Sequence, residues 1–318
     1  MAIAQRQRRV SGDAGFTLIE MMVAVFVLMI VSGTVIRGVM DMADLHSTLM
    51  NRSDMHAGVR NVTELLTQEI GQAGKVALPG TVTITAATAI GATTLTVNST
   101  AGMFVGEQLL IDTGDNAETK AIAAINGNQL TLPAMTNAHD ANDPVQVSGG
   151  FAAGVVPSTT ANGSSASRLK IFGDINSDGT MVYIEYWCDT ANATPAAPGR
   201  LYRNMVPLTA GAKPAATAAM VLIDNILQNP PPPGGGAAPA CFTYQTQTAG
   251  GLTYVTDVAI TLTVQTQNRD RKTGGFQTET KALLNVSPRN VFNVWQLATL
   301  GVTSRVQPTP ASVTNFLP

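Results

Sequence analysis

The chain has 318 residues, a formal net charge of −2 and only 13% charged side chains against 45% hydrophobic ones. No nucleic-acid partner is expected, because the positive residues after Arg37 are scattered instead of forming a patch. The length suits one large or two small domains. The low charge, with abundant Thr, Ala, Gly and Asn, points to an exported β-rich protein more than to a cytosolic enzyme.

Three arginines, Arg6, Arg8 and Arg9, precede an almost wholly apolar run from Phe16 to Ile36, which Arg37 closes. As a helix rising about 1.5 Å per residue, this run covers roughly the 30 Å of a bilayer core. It is longer than the apolar region of a secretory signal, and no small-x-small cleavage site follows it. Positive charge ahead of the span predicts a cytoplasmic N-terminus, with everything after Arg37 outside the cytoplasm. Glu20 is the only charge in the run, and a carboxylate in hydrocarbon costs on the order of 3 kcal/mol or more unless it finds a partner.

Gly15-Phe16-Thr17-Leu18-Ile19-Glu20 resembles the class III signal of type IV prepilins and type II secretion pseudopilins. The resemblance implies that residues 1–15 are a leader, removed between Gly15 and Phe16 by a prepilin peptidase/N-methyltransferase that also methylates Phe16. It further implies that the apolar helix is kept for assembly with other pilins or pseudopilins, where Glu20 pairs with the terminal amine of a neighbour's Phe16. The leader carries +2, from three arginines and Asp13, so the remaining 303 residues carry about −4. The subunit would then be a single-pass inner-membrane protein with a periplasmic C-terminal domain before it enters a pilus or pseudopilus. Many major pilins carry a proline early in the second half of this helix; here that place holds Arg37 and Gly38.

Residues 16–37 form the spanning half of the helix, and 38–75 read as its amphipathic half. Met42, Leu45, Leu49, Val59, Val62, Leu66, Ile70 and Ala73 recur mostly at three- and four-residue steps, with Arg52 and His56 where the stripe weakens. Gly71, Gly74, Pro79 and Gly80 end the helix, giving a length of about 85–90 Å. Its apolar stripe needs a sheet to cover it. His46 and His56 read as surface or interface groups.

Residues 81–149 change to short Thr/Val/Ile-rich segments: 81–85, 94–97, 109–111, 121–125 and 130–132. Asn126-Gly127 and Thr113-Gly114-Asp115-Asn116 mark turns. This reads as an inserted all-β module, and His139 and Asp140 in its late loop have no nucleophile near them in sequence. Residues 149–167 read as a linker. An antiparallel sheet domain follows over 168–295, then a C-terminal tail over 296–318. The fold class is therefore α+β: a long N-terminal helix packed on an antiparallel sheet, with a small β insertion. The order of features is similar to that of PilW-like minor pilins and the larger minor pseudopilins. The cues are Gln72-Ala73-Gly74, Leu201-Tyr202-Arg203-Asn204 and Val286-Ser287-Pro288-Arg289-Asn290-Val291, and residues 81–149 fall outside them.

Cys188 and Cys241 lie beyond Arg37, on the oxidising side, where a pair forms a disulfide more readily than it stays as two buried thiols. A bridge closing that loop contributes about 4 kcal/mol on chain-entropy grounds. Asp174, Asn176, Asp178, Gly179 and Glu185 fit the pattern D-x-[DN]-x-[DN]-G-x₅-E of a calcium loop; with no helical flanks, the alternative is a loop between strands that uses Asp174, Asn176, Asp178 and the Thr180 carbonyl, with or without Glu185. The same residues also make a plain Asp/Asn/Gly turn between two strands. No nucleophile elbow, His-Glu-x-x-His pair or phosphate loop is present in the sequence, so an enzyme is not expected. The expected function is that of a minor pilin or pseudopilin subunit which joins or primes a filament. The alternatives are a pilus-tip adhesive module, with or without calcium, and a minor pseudopilin of a type II secretion system.

Overall fold

Helix α1 (Leu18–Gln72) runs for 55 residues without interruption in the computed structural model, which describes residues 15–318 apart from the side chains of 283 and 284. Of the expected leader, residues 1–15, all but Gly15 lie outside the described residues. At about 1.5 Å per residue α1 is roughly 82 Å long. No proline interrupts it, and it passes Arg37 and Gly38 as continuous helix.

The sheet covers α1 only from Met55 onward. Met55, Val59, Val62, Leu66, Ile70 and Ala73 are buried, whereas Met42, Leu45 and Leu49 are exposed. The expected stripe is therefore covered along its C-terminal part alone, because α1 outruns the sheet. Over the bare part, a polar turn between the last two long strands reaches the helix. Arg271 pairs with Asp44 (3.3 Å), Thr48 donates to Asp270 (3.2 Å), and Asn268 donates to Asn51 (3.3 Å).

The module comes next in the chain. Its strands are β1 (Val82–Thr83), β2 (Thr94–Thr96), β3 (Gln108–Ile111), β4 (Glu118–Ala121), β5 (Ala124–Asn126), β6 (Gln129–Thr131) and β7 (Pro144–Val147). They form two antiparallel sheets, ordered β1-β7-β3-β4 and β2-β6-β5. Ile84, Leu95, Leu109, Ile111 and Leu130 fill one core between them. Residues 121–125 are split between β4 and β5, because the backbone at Ile122 turns to donate to Glu107 (2.9 Å). Strand β7 was not expected: it opens with a proline, which the first position of a strand tolerates.

The stretch 149–167 is not a linker. β8 (Gly150–Phe151) lies in it, and Phe151, Val155 and Val156 are buried. The main sheet comprises β9 (Arg168–Gly173), β10 (Val182–Asp189), β11 (Gly199–Pro207), β12 (Val221–Leu227), β13 (Phe242–Ala249), β14 (Leu252–Gln265) and β15 (Thr278–Val286). Its order is β13-β14-β12-β11-β10-β9, antiparallel throughout, with β15 pairing β14. Alternation sends Val182, Ile184, Tyr186 and Cys188 toward α1, where they join Leu66 and Ile70 in the largest core. The opposite face carries cross-strand rows: Arg168–Trp187–Tyr202, Lys170–Glu185–Asn204 and Phe172–Tyr183–Val206.

The segment 296–318 is docked, not a free tail. It begins within α2 (Arg289–Thr299) and continues through β16 (Val306–Gln307), which pairs in parallel with β8, to α3 (Ala311–Phe316). Val313, Phe316 and Leu317 recur at i, i+3 and i+4 and bury against Tyr183 and Phe172.

The C-terminal end of α1 is the mechanical joint. Asn290 Nδ2 donates to the carbonyls of Gln72 (3.1 Å) and Ala73 (3.4 Å), satisfying helix-end acceptors that have no partner within the helix. Gly74 stands at φ +82°, and a side chain there would meet Val291 at 2.8 Å. A Cβ at Gly154 would strike the Gly74 backbone at 2.2 Å, so the chain crosses at glycine-only distance. One turn earlier, buried Glu69 accepts from Arg203 Nε (3.1 Å) and from the Tyr186 hydroxyl.

Glu69→Ala should strand Arg203 and Tyr186 and destabilise the folded domain by about 3 kcal/mol, read as a lower urea midpoint with unchanged slope; an unchanged midpoint would show the pair to be dispensable. Glu107 is fully buried at the start of β3, and neither of its carboxylate oxygens has a hydrogen-bond partner. Burial pushes its pKa up to about 8, and the nearby Phe104 backbone opposes this only slightly. The unfolded chain ionises this group near 4.5 while the folded one resists, so its contribution becomes progressively destabilising as pH rises from about 4.5 to about 8. Glu107→Gln should remove that dependence. The difference in melting temperature between variant and parent should grow in the variant's favour across this window, and a constant difference would contradict the assignment.

Candidate functional site: the start of the long helix

Thr17 caps α1 with extended backbone (φ −71°, ψ 152°). Its hydroxyl accepts from the Glu20 N–H at 3.3 Å, while Glu20 Oε2 accepts from the Thr17 N–H and hydroxyl, each at 2.9 Å. This is a reciprocal capping box, set by threonine and glutamate three residues apart. The spacing Thr-Leu-Ile-Glu is visible in the sequence, yet its capping role emerges only when the cleavage junction and the helix start are placed side by side.

The box has a chemical consequence. Both intrachain hydrogen bonds fall on Glu20 Oε2, which leaves Oε1 for a partner. The carboxylate is thus fixed in the first turn, one helical step from Phe16, and partly satisfied before any neighbour arrives. Phe16 is 84% exposed, and no residue of the most apolar 18-residue window of α1, with mean hydropathy 2.4, is buried in the chain. By length and composition this helix can cross a membrane. A surface that apolar fits membrane anchoring, and it also offers an apolar face to other helices.

The other residues singled out in the sequence are placed as follows. Cys188, in β10, and Cys241, just before β13, form a disulfide within the main core. It ties the proline- and glycine-rich loop of residues 230–236 back to the sheet. Asp174 is buried at the helix joint: its Oδ2 pairs with Lys75 (2.9 Å), and its Oδ1 accepts from the Asp178 and Gly179 N–H groups. Asp178 accepts from the Thr180 N–H at 2.8 Å. These contacts draw Asp174, Asp178 and Thr180 into one tight turn around Ser177, whose φ is +58°. Asn176 lies in the same turn, whose side-chain hydrogen bonds are made by Asp174 and Asp178, and Glu185 is not brought to it at all. On the far face of β10, Glu185 is held by Arg168, by Lys213 (2.7 Å) and by the Tyr183 hydroxyl (3.1 Å). Burial works to raise the pKa of Glu185, and the cations Lys213, Lys170 and Arg168 outweigh it, so the group sits below the usual range. The calcium-type pattern thus divides into a turn that braces the end of α1 and a separate buried ion cluster, and the five residues do not converge on one point.

Of the residues that join α1 to the domain, sequence reading missed Glu69, and it named Asn290 only within the Val286–Val291 cue, without its capping role. A glutamate on the apolar face of a helix was the available signal for the first.

The prokaryotic N-terminal methylation motif matches residues 11–36, covering the junction, the capping box and the apolar run. No curated protein and no solved structure matches the chain. The N-terminal segment is therefore type IV pilin-like, a class whose members are processed by a prepilin peptidase and assemble with other pilins.

Processing has a direct readout. The intact mass of the protein recovered from membranes should correspond to loss of residues 1–15 and gain of one methyl group. A chain of full mass would overturn the cleavage site between Gly15 and Phe16.

Proposed function

We propose that the protein is a minor pilin or pseudopilin subunit, held in the inner membrane by α1 and drawn from there into a type IV pilus-type filament. The observation that carries this reading is the pairing of a bare apolar half-helix, headed by a preset Glu20 with one free oxygen, with a C-terminal half locked into a folded domain. The first part is what a shared helical core requires, and the second is what lets that core carry a domain outward. A neighbour's Phe16 amine meeting Glu20 Oε1 would cancel two charges that are each costly in an apolar filament interior. The reading treats the chain as acting by assembly and not by catalysis.

Three cues support the finer resemblance to PilW-like minor pilins, because they converge in space. Gln72-Ala73-Gly74 ends α1, Asn290 and Val291 cap and flank that end, and Arg203 clamps the preceding turn. In this reading the domain is periplasmic before assembly, and the disulfide fits that compartment.

Glu20→Ala should be cleaved normally yet fail to co-purify with the other pilins of its filament system, while Glu20→Gln should retain part of the interaction through its amide. Co-purification of the alanine variant at the parental level would remove the proposed salt bridge.

A further inference from the structure

The inserted module holds a cluster that neither assembly nor core packing uses. Asp112 follows β3, Asp143 precedes β7, and the pairing of Ile111 with Val145 brings these two strand ends together. His139 is brought alongside by a backbone bridge to Thr88, donating at 2.9 Å and accepting at 2.8 Å. Its ring is completely buried. Nδ1 lies 3.3 Å from Asp112 Oδ2, and one ligand atom from each of Asp112, His139 and Asp143 lies within 4.8 Å of the others.

The other side of the ring is held from outside this trio. Nε2 stands 2.7 Å from Glu118 Oε1. Glu118 is itself fixed by the Thr136 N–H (2.9 Å), the Asn137 N–H (3.2 Å) and Lys120 (2.8 Å). Lys120 spends its remaining donors on the Ala134 carbonyl (2.8 Å) and the Thr136 hydroxyl (2.9 Å). With a proton on Nε2 for Glu118, Nδ1 turns its lone pair toward Asp112 Oδ2, and Asp143 offers a carboxylate oxygen to the same cluster. A histidine oriented by a carboxylate behind it, with its other nitrogen facing oxygen ligands, is the arrangement that metal-binding histidines require.

Charge leads to the same place. Among the described residues, Asp112 and Asp143 have no lysine or arginine partner, since Lys120 is fully engaged with Glu118 and its neighbours. Asp112 Oδ1 accepts from the Thr113 N–H and Asp143 Oδ2 from the Asp140 N–H, each at 2.6 Å, so backbone donors hold the two carboxylates in place and no lysine or arginine balances their charge. We propose that Asp112, His139 and Asp143 bind a first-row divalent transition ion, with His139 ligating through Nδ1 and Glu118 acting as a positioning residue. One imidazole nitrogen with two carboxylates favours zinc, manganese or ferrous iron over calcium or magnesium, which take oxygen ligands alone. Asp143 is only half-buried, so an ion has a route in from solvent.

Zinc is the probe, and calcium the control, on the full chain in detergent micelles. Native mass spectrometry should show one zinc per chain, and zinc should raise the melting temperature where calcium does not. Asp143→Asn and Asp112→Asn keep the side-chain shape, and asparagine tolerates the +66° φ at position 112; both should abolish the shift. Glu118→Gln touches no ligand atom and should weaken zinc about 10–100-fold. His56→Ala, at the exposed His56–Glu279 pair, should leave it unchanged. Each variant is melted without metal as well, so that a folding defect is seen separately. An absence of zinc binding, equal shifts with zinc and calcium, or zinc binding unaltered in a folded Asp143→Asn variant would each overturn the site.

Discussion

Glu69 is the one charged residue on the buried face of α1, and Arg203 and Tyr186 of the main sheet meet it there. Taken alone, a buried pair of this kind roughly breaks even, because desolvating both charges offsets most of their attraction. Its value here is positional. Successive residues of a helix are rotated by about 100°, so any slip of α1 along the sheet turns the carboxylate out of reach of Arg203 and leaves both groups uncompensated. Leu66 and Ile70 could tolerate several registers; Glu69 accepts one. The Asn290 cap and the glycine crossing at Gly74 and Gly154 then fix the helix end in the same register. The remaining architecture hangs from this joint: the sheet rests on α1, β8 passes the helix end, and β16 and α3 are tied in behind it.

The features most legible in the sequence were those written in local patterns. The junction and apolar run are specified by adjacent residues, and the α1 stripe from Val59 to Ala73 by its three- and four-residue steps. The same pattern misled at Met42, Leu45 and Leu49, since periodicity reports an apolar face without saying where its cover stops. Residues 149–167 and 296–318 were misjudged for the opposite reason. Each is mostly small and polar, and a few separated side chains, Phe151 in one and Val313 and Phe316 in the other, carry the burial. Nothing local reveals that Phe151 and Phe172 will pack as a tilted pair with ring centroids 4.9 Å apart, or that Phe316 will meet Tyr183.

The oxygen-rich turn after β9 shows a further limit. Asp174, Asn176 and Asp178 have the alternation of a cation loop, but such spacing equally suits side chains that cap backbone N–H groups. Which use prevails depends on residues remote in sequence. Lys75, brought by the helix end, takes the carboxylate of Asp174, and a cluster of cations on the far face takes Glu185. The trio around His139 reverses this case: its members span more than thirty positions without a recognisable spacing, and only the pairing of β3 with β7 assembles them.

The polar turn between β14 and β15 touches α1 at Asp44, Thr48 and Asn51, which are spaced at successive helical turns. It acts as a stop collar on a shaft. Axial sliding by one turn, about 5.4 Å, would bring each contact opposite the wrong rung, and the joint at Glu69 would fail with it. Two such stops, set well apart along the same helix, resist tilting as well as sliding. Pull applied to the apolar end would therefore reach the folded domain as a rigid displacement, and any bending would be confined to the stretch of helix below Asp44.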